Sequence, residues 1–243
     1  QLTEEALVNA QAMIEEKHIY DDQVILLYLP KCHESLAGIV AGKIKEKYYK
    51  PTIILTDGKE GELKGSGRSI EAYDLYEGIA KCSHLLLRFG GHKQAAGLSL
   101  KKENFLPLKN KMNQDCELTP EDFKKKIVID MELPFSEITT DFIEELALLE
   151  PFGNGNKKPV FALRDVTFLD TKVIGKNQNV LKAMAKDSRN QVIEAIYFNG
   201  DAKEVKDKIG GEKLNVLFYP SFNYYNGKTT KQLEIKDYKI RKA

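Results

Sequence analysis

The chain has 243 residues, 42% hydrophobic and 30% charged, with a formal net charge of +1. That length suits one large domain or two ordinary ones, and the balance is that of a soluble globular protein. It excludes a disordered or disulfide-stapled chain, and no apolar run approaches the roughly 20 residues that a membrane span needs.

Taken in chain order, residues 2–18 read as an amphipathic helix, with Leu2, Ala6, Ala10, Met13 and Ile14 near one face. Residues 24–29 form a short apolar run, a buried strand. Residues 35–48 are helical and carry the small residues Ala37, Gly38, Ala41 and Gly42, which permit close packing. Pro51 ends that helix. Strands follow at 52–56 and 63–70, a helix at 73–81, a strand at 97–101 and a helix at 103–116. This alternation predicts an α/β domain with a mixed sheet. Leu118-Thr119-Pro120 breaks the pattern and sets the expected boundary, giving domains 1–117 and 118–243. Beyond it, residues 128–133 read as a strand. Residues 139–149 read as a helix capped by Thr139 or Thr140. Strands then dominate, at 160–170, 180–186, 192–198, 214–219 and 232–240, with a helix at 202–209 between the third and fourth. Three strands, a helix and two strands is the order of an OB-fold-like β-barrel, whose first-to-second and fourth-to-fifth loops bind oligonucleotides.

Charge follows the same division. Residues 1–117 carry 16 Lys and Arg against 17 Asp and Glu, residues 118–159 carry 5 against 9, and residues 160–243 carry 16 against 10. The last segment is a basic module in a neutral chain. Cys32, Cys82 and Cys116 are widely spaced and match no metal pattern. They read as free thiols of a reducing, cytoplasmic compartment.

Three motifs carry chemistry. Phe89-Gly90-Gly91-His92-Lys93-Gln94-Ala95-Ala96-Gly97 pairs two glycines with a histidine. The glycines read as a turn wrapped closely around a ligand. Upstream, Gly65-Ser66-Gly67-Arg68-Ser69 surrounds an arginine with glycines and hydroxyls. Further upstream, His33 precedes the Gly38-Ile39-Val40-Ala41-Gly42 helix. Guanidinium, hydroxyl, imidazole and glycine amide are together a phosphate-binding set. Taken singly, each motif is equally a glycine-rich surface turn, and His33 equally a histidine packed under a loop. His18 and His84 have no motif support.

In their order and spacing these motifs resemble the DHH-associated domain of the DHH phosphoesterase superfamily, over residues 1–117. The resemblance continues at Leu149-Glu150-Pro151-Phe152-Gly153-Asn154-Gly155-Asn156 and Pro159-Val160-Phe161, which resemble the entry to the OB-type domain of its single-stranded-DNA exonucleases. Where the family has Trp before the first histidine and Gly-Val after the glutamate, this chain has Cys32 and Ser35-Leu36. The resemblance implies that His33, Ser66, Arg68, Ser69, Gly90, Gly91 and His92 hold a nucleotide phosphate. His92 has at most an assisting role in catalysis. The family's Asp-His-His triplet, which helps hold Mn2+ or Mg2+, does not occur in this sequence. The expectation is a C-terminal fragment, inactive and metal-free alone, of a cytoplasmic 5′→3′ exonuclease of DNA repair and recombination.

In the basic module, Lys172, Lys176 and Asn177 suit the first barrel loop. Tyr224, Tyr225, Lys228 and Lys231 suit stacking and phosphate neutralisation around a tight Asn226-Gly227 turn. Strand alternation predicts that one of the two tyrosines packs inward. The expected partner is single-stranded DNA, with repair or recombination proteins besides. The expected state is a monomer with no membrane association. The competing readings are an oligoribonuclease or cyclic-dinucleotide phosphodiesterase of the same superfamily, and a nucleic-acid-binding module without catalysis.

Overall fold

The computed structural model describes residues 2–59, 61–153, 155–198 and 202–241. By internal contacts the chain divides into Gln1–Lys126 and Ile127–Ala243.

The first unit runs α1 (Leu2–Glu16), β1 (Ile25–Tyr28), α2 (Glu34–Tyr48), β2 (Thr52–Asp57), β3 (Glu62–Arg68), α3 (Leu75–Ala80), β4 (Arg88–His92), β5 (Ala95–Lys101) and α4 (Phe105–Gln114). Its sheet has the order β1-β2-β3-β5-β4. The crossover through α2 makes β1 and β2 parallel. The other neighbours are antiparallel. Apolar residues at consecutive positions of β1 and β2 bury both faces of the sheet. On one face Ile25, Leu27 and Ile54 pack against Ile14 of α1 and Val40 and Ile44 of α2. On the other, Leu26, Ile53, Leu55 and Leu98 pack against Leu75 and Ile79 of α3 and Leu108 and Met112 of α4. Each fully buried Leu or Ile contributes about 1.5–3 kcal/mol.

Helix α2 begins where the His33 side chain accepts the Ser35 amide hydrogen, and it ends at Tyr49 in the left-handed region, φ 50. Pro51 follows, as the sequence requires. The predicted elements of this unit are present, with one addition. Residues 88–92 are strand β4, where the sequence reading has only a glycine turn. The turn is instead Lys93-Gln94, which joins β4 to β5.

The second unit runs β6 (Met131–Glu132), α5 (Thr140–Ala147), β7 (Phe161–Ile174), β8 (Val180–Lys186), β9 (Val192–Tyr197), α6 (Ala202–Ile209), β10 (Leu214–Tyr225) and β11 (Lys228–Ile240). The predicted strand at 128–133 shrinks to the two residues of β6. The strands pair in the order β10-β11-β9-β8-β7, and β10 also pairs with β7, which closes a five-stranded barrel. β9 and β11 are parallel, with α6 in the connection between β9 and β10. This is the OB-type barrel expected from the strand order. Alternation fills it: Leu181, Ala183 and Ala185 of β8 and Leu233 and Ile235 of β11 point inward. Phe218, 0% exposed, meets Phe135 edge-on and lies beside Phe161. The Thr139 hydroxyl caps α5 by accepting from the Phe142 amide at 3.1 Å.

Candidate nucleic-acid interface

In the first unit the strand register assembles a shelf. Three rows cross β3, β5 and β4: Lys64–Ser99–Arg88, Ser66–Gly97–Gly90 and Arg68–Ala95–His92. Residues opposite one another share a face, and so do residues two apart. Leu98 and Phe89 belong to the core on the other side, so these rows lie on the face that α2 covers over β2 and β3. At Gly97 of β5 and along β4 that face is open. A Cβ placed on Gly90 would meet nothing within 4 Å, and one on Gly97 would meet only the Gly65 carbonyl oxygen at 3.8 Å. The Gly97–Gly90 part of the middle row is therefore a floor without side chains beside the Ser66 hydroxyl, with Lys64, Arg88, Arg68 and His92 at the corners of the shelf. Strand spacing makes it about 10 Å by 13 Å, the size of a nucleotide. A flat glycine floor with Arg68, Arg88 and His92 at three corners, and Lys64 paired with Glu34 at 3.5 Å at the fourth, is complementary to a sugar-phosphate.

Each predicted phosphate-site residue has a defined place. Ser66 and Arg68 line the shelf. Arg68 lies along α2, and one arm of its guanidinium donates to the Gly67 carbonyl at 2.8 Å. His92 Nδ1 accepts from the Gln94 amide at 3.3 Å. In the neutral ring that leaves Nε2–H as an outward donor. Gly90 is floor. Gly91 is hairpin geometry: at φ 147 its Cβ would strike the Ala95 carbonyl oxygen at 2.3 Å. Ser69 is withdrawn from the set. It is 3% exposed, and its hydroxyl donates to the Tyr73 carbonyl at 2.8 Å, so it holds the bend after β3. His33 precedes Glu34, which pairs with Lys64 of the shelf at 3.5 Å. As N-cap of α2, His33 lines a groove of about 650 Å³ with Leu2, Ala6, Met13, Cys32 and Leu36. Burial pushes the Cys32 thiol up from its ordinary value, so it stays a thiol at neutral pH. Sequence reasoning missed Lys64 and Arg88, which flank the buried Ser99 in their row. Their signal is the period-two alternation around Leu63, Phe89 and Leu98, readable only once 88–92 is taken as a strand.

In the second unit a groove of about 780 Å³ runs along the outside of β8 and β9 to the β10–β11 hairpin. Met184, Val192, Glu194, Phe222, Tyr224 and Lys231 are among its lining residues. This is the barrel face that OB domains use for oligonucleotides. β7 pairs with β10 only as far as Phe218, and β9 pairs with β11 only from Gln232. Residues 221–231 therefore form an arm paired only with itself, turning at Asn226 (φ 47) and Gly227 (φ 72) as predicted. Tyr224 and Tyr225 are both exposed, 74% and 70%, which corrects the expectation that one packs inward. Alternation places side chains inside only where strands close a barrel, and the arm has left it. Phe222 supplies the inward anchor, packing against the barrel core and meeting Tyr224 at a centroid distance of 6.1 Å. Lys228 and Lys176 are exposed at the two turns. Lys172 lies within β7, not in a loop, directly across from Lys182. Lys182 is paired with Glu194 at 2.7 Å. Lys231 is partly committed, donating to the Ile138 carbonyl at 2.7 Å.

Both units match known families. The DHHA1 domain matches residues 21–117 and the RecJ OB domain residues 129–237. The single-stranded-DNA-specific exonuclease RecJ of Bacillus subtilis is 32% identical over 97% of this chain. The chain belongs to the RecJ family. It covers 30% of the length of that Bacillus RecJ. It also covers 36% of the RecJ of Haemophilus influenzae, with which it shares 32% identity over 88% of the chain. The crystal structure of Thermus thermophilus RecJ in complex with Mg2+ superposes on 97% of this chain with a TM-score of 0.73 at 24% identity. It supports the fold of the RecJ pair of domains. Among the described residues, no group of three or more His, Cys, Asp or Glu is placed to hold a metal ion. Nor is any helix long and apolar enough to cross a membrane.

Proposed function

We propose that this chain provides the substrate-binding part of a single-stranded-DNA-specific 5′→3′ exonuclease acting in DNA repair and recombination. The observation that carries the reading is the bare Gly97–Gly90 floor between Arg68, Arg88, Lys64 and His92. In this reading the shelf holds the 5′-phosphate of a terminal nucleotide. Arg68 and Ser66 donate to it, and His92 adds an Nε2–H donor or an assisting proton. The barrel groove holds bases of single-stranded DNA. The bound DNA is positioned, not cleaved, by these residues. The Mn2+ or Mg2+ of the reaction is held by residues other than those described, so the chain alone releases no nucleotides from labelled single-stranded DNA when manganese is added. Activity that co-purifies with the chain through repeated chromatography would count against this. A superfamily phosphodiesterase for small cyclic substrates has no use for the barrel groove, and that favours the DNA reading.

The floor itself supplies the test. Gly97→Val places a branched side chain on the open shelf at a strand position that favours β-branched residues. The fold is expected to keep its melting temperature, while affinity for a 5′-phosphorylated oligothymidylate falls at least about ten-fold, the effect of one lost charge-assisted contact. Unchanged affinity, measured by fluorescence anisotropy, would mean that nothing binds on the floor.

A further inference from the structure

The Arg68 side chain lies across the face of α2 that carries Gly38 and Gly42. A Cβ on Gly38 would stand 2.8 Å from one terminal nitrogen of Arg68, 3.4 Å from Cζ and 3.5 Å from the other terminal nitrogen. A Cβ on Gly42 would stand 4.0 Å from Cγ, an ordinary contact. The two glycines are thus not equivalent: Gly42 lies under the stem and Gly38 under the charged head. The terminal nitrogen 3.5 Å from the Cβ at Gly38 donates to the Gly67 carbonyl at 2.8 Å. Helix propensity argues against glycine at both places, since alanine is the better helix former in an interior turn. The cost is accepted where a flat guanidinium needs the room.

We propose that Gly38 is a positioning residue for the phosphate shelf: its missing side chain lets the Arg68 guanidinium lie flat against α2, aimed along the shelf. The proposal rests on the reading of Arg68 as a phosphate ligand. A methyl group at Gly38 pushes the head of a flexible side chain aside while the helix backbone stays in place. Orientation is lost and charge is kept. A bidentate fork depends on that orientation.

The test is a double-mutant cycle between Gly38→Ala and Arg68→Ala, read by oligothymidylate affinity with and without a 5′-phosphate. The Arg68 Nε–Hε resonance of the 15N-labelled protein and the melting temperature are followed in parallel, with Gly42→Ala as control. Gly38→Ala is expected to move that resonance and to weaken phosphate-dependent binding about ten-fold. In the Arg68→Ala background it is expected to have no further effect on binding, and there to raise the melting temperature by removing the clash and keeping the better helix former. Gly42→Ala should leave binding unchanged. An equal loss of affinity in both backgrounds, or an unmoved resonance, overturns the positioning role alone. Should Arg68→Ala by itself leave affinity unchanged, the phosphate reading falls and takes this proposal with it. If Gly38→Ala does not fold alone, recovery of folding in the double variant still supports the contact, and failure to recover refutes it.

Discussion

Arg68→Ala is expected to weaken binding of a 5′-phosphorylated oligothymidylate by about 1.5–3 kcal/mol, the range for a hydrogen bond to a charged group. That is roughly ten- to hundred-fold in Kd. The unphosphorylated oligonucleotide should lose much less, because its terminal nucleotide brings no phosphate to the shelf. Stability should change little: the guanidinium is half-buried and its described hydrogen bond is to its neighbour's carbonyl, a contact worth about 0.5–1.5 kcal/mol. Arg68→Lys keeps the charge and loses the planar fork, so it should restore only part of the affinity. Isothermal titration at two salt concentrations separates the specific contact from general attraction, since counterion release weakens every phosphate contact as salt rises. If Arg68→Ala and the parent chain bind the phosphorylated strand alike, Arg68 is only the lid on Gly38 and Gly42.

How far the sequence reaches differs between the two units for physical reasons. In the barrel, period-two alternation is strong and turn residues are explicit, so β8, β9 and α6 are readable almost to the residue. In the first unit, β1 and β2 announce themselves by continuous apolar runs. β4 does not. Arg88, Gly90 and His92 face an open shelf, and of its alternate positions only Phe89 is apolar, Gly91 being required by the hairpin. A strand that leaves a floor bare lacks the side chains by which strands are recognised. The site was therefore half legible. Ser66, Arg68 and His92 stand out by residue type, whereas Arg88 and Lys64 look like ordinary surface charges until the register joins them. Ser69 misled for the opposite reason: a hydroxyl beside an arginine looks like a ligand, and only its 2.8 Å bond to Tyr73 reveals a structural duty. The tyrosines of the arm misled because alternation says which way a side chain points without saying whether a barrel is there to receive it.

The same arm gives the other large effect. Tyr224 lines the barrel groove and leans on Phe222, whereas Tyr225, at the strand end beside the turn, is not among the groove's lining residues. Tyr224→Ala is expected to cost about 1–3 kcal/mol of single-strand affinity, the value of one base stacked on an aromatic ring. Tyr225→Ala should cost clearly less. Neither should lower the melting temperature, because both rings are exposed and leave no cavity when truncated. Phe222→Ala should differ from both. Its ring packs against the barrel core and steadies Tyr224, so it should lose stability and affinity together. Binding of oligothymidylate should weaken with salt, with a slope set by the lysines that reach the backbone. Lys172, Lys176, Lys182 and Lys228 are the candidates, and Lys182 must first leave Glu194. Duplex DNA of equal length should bind more weakly, since paired bases offer no faces for stacking. Anisotropy titrations of the three variants against single and double strands decide the matter. Equal affinity for both forms, or no loss on removing Tyr224, would make the arm a structural extension and the basic barrel surface merely solvated.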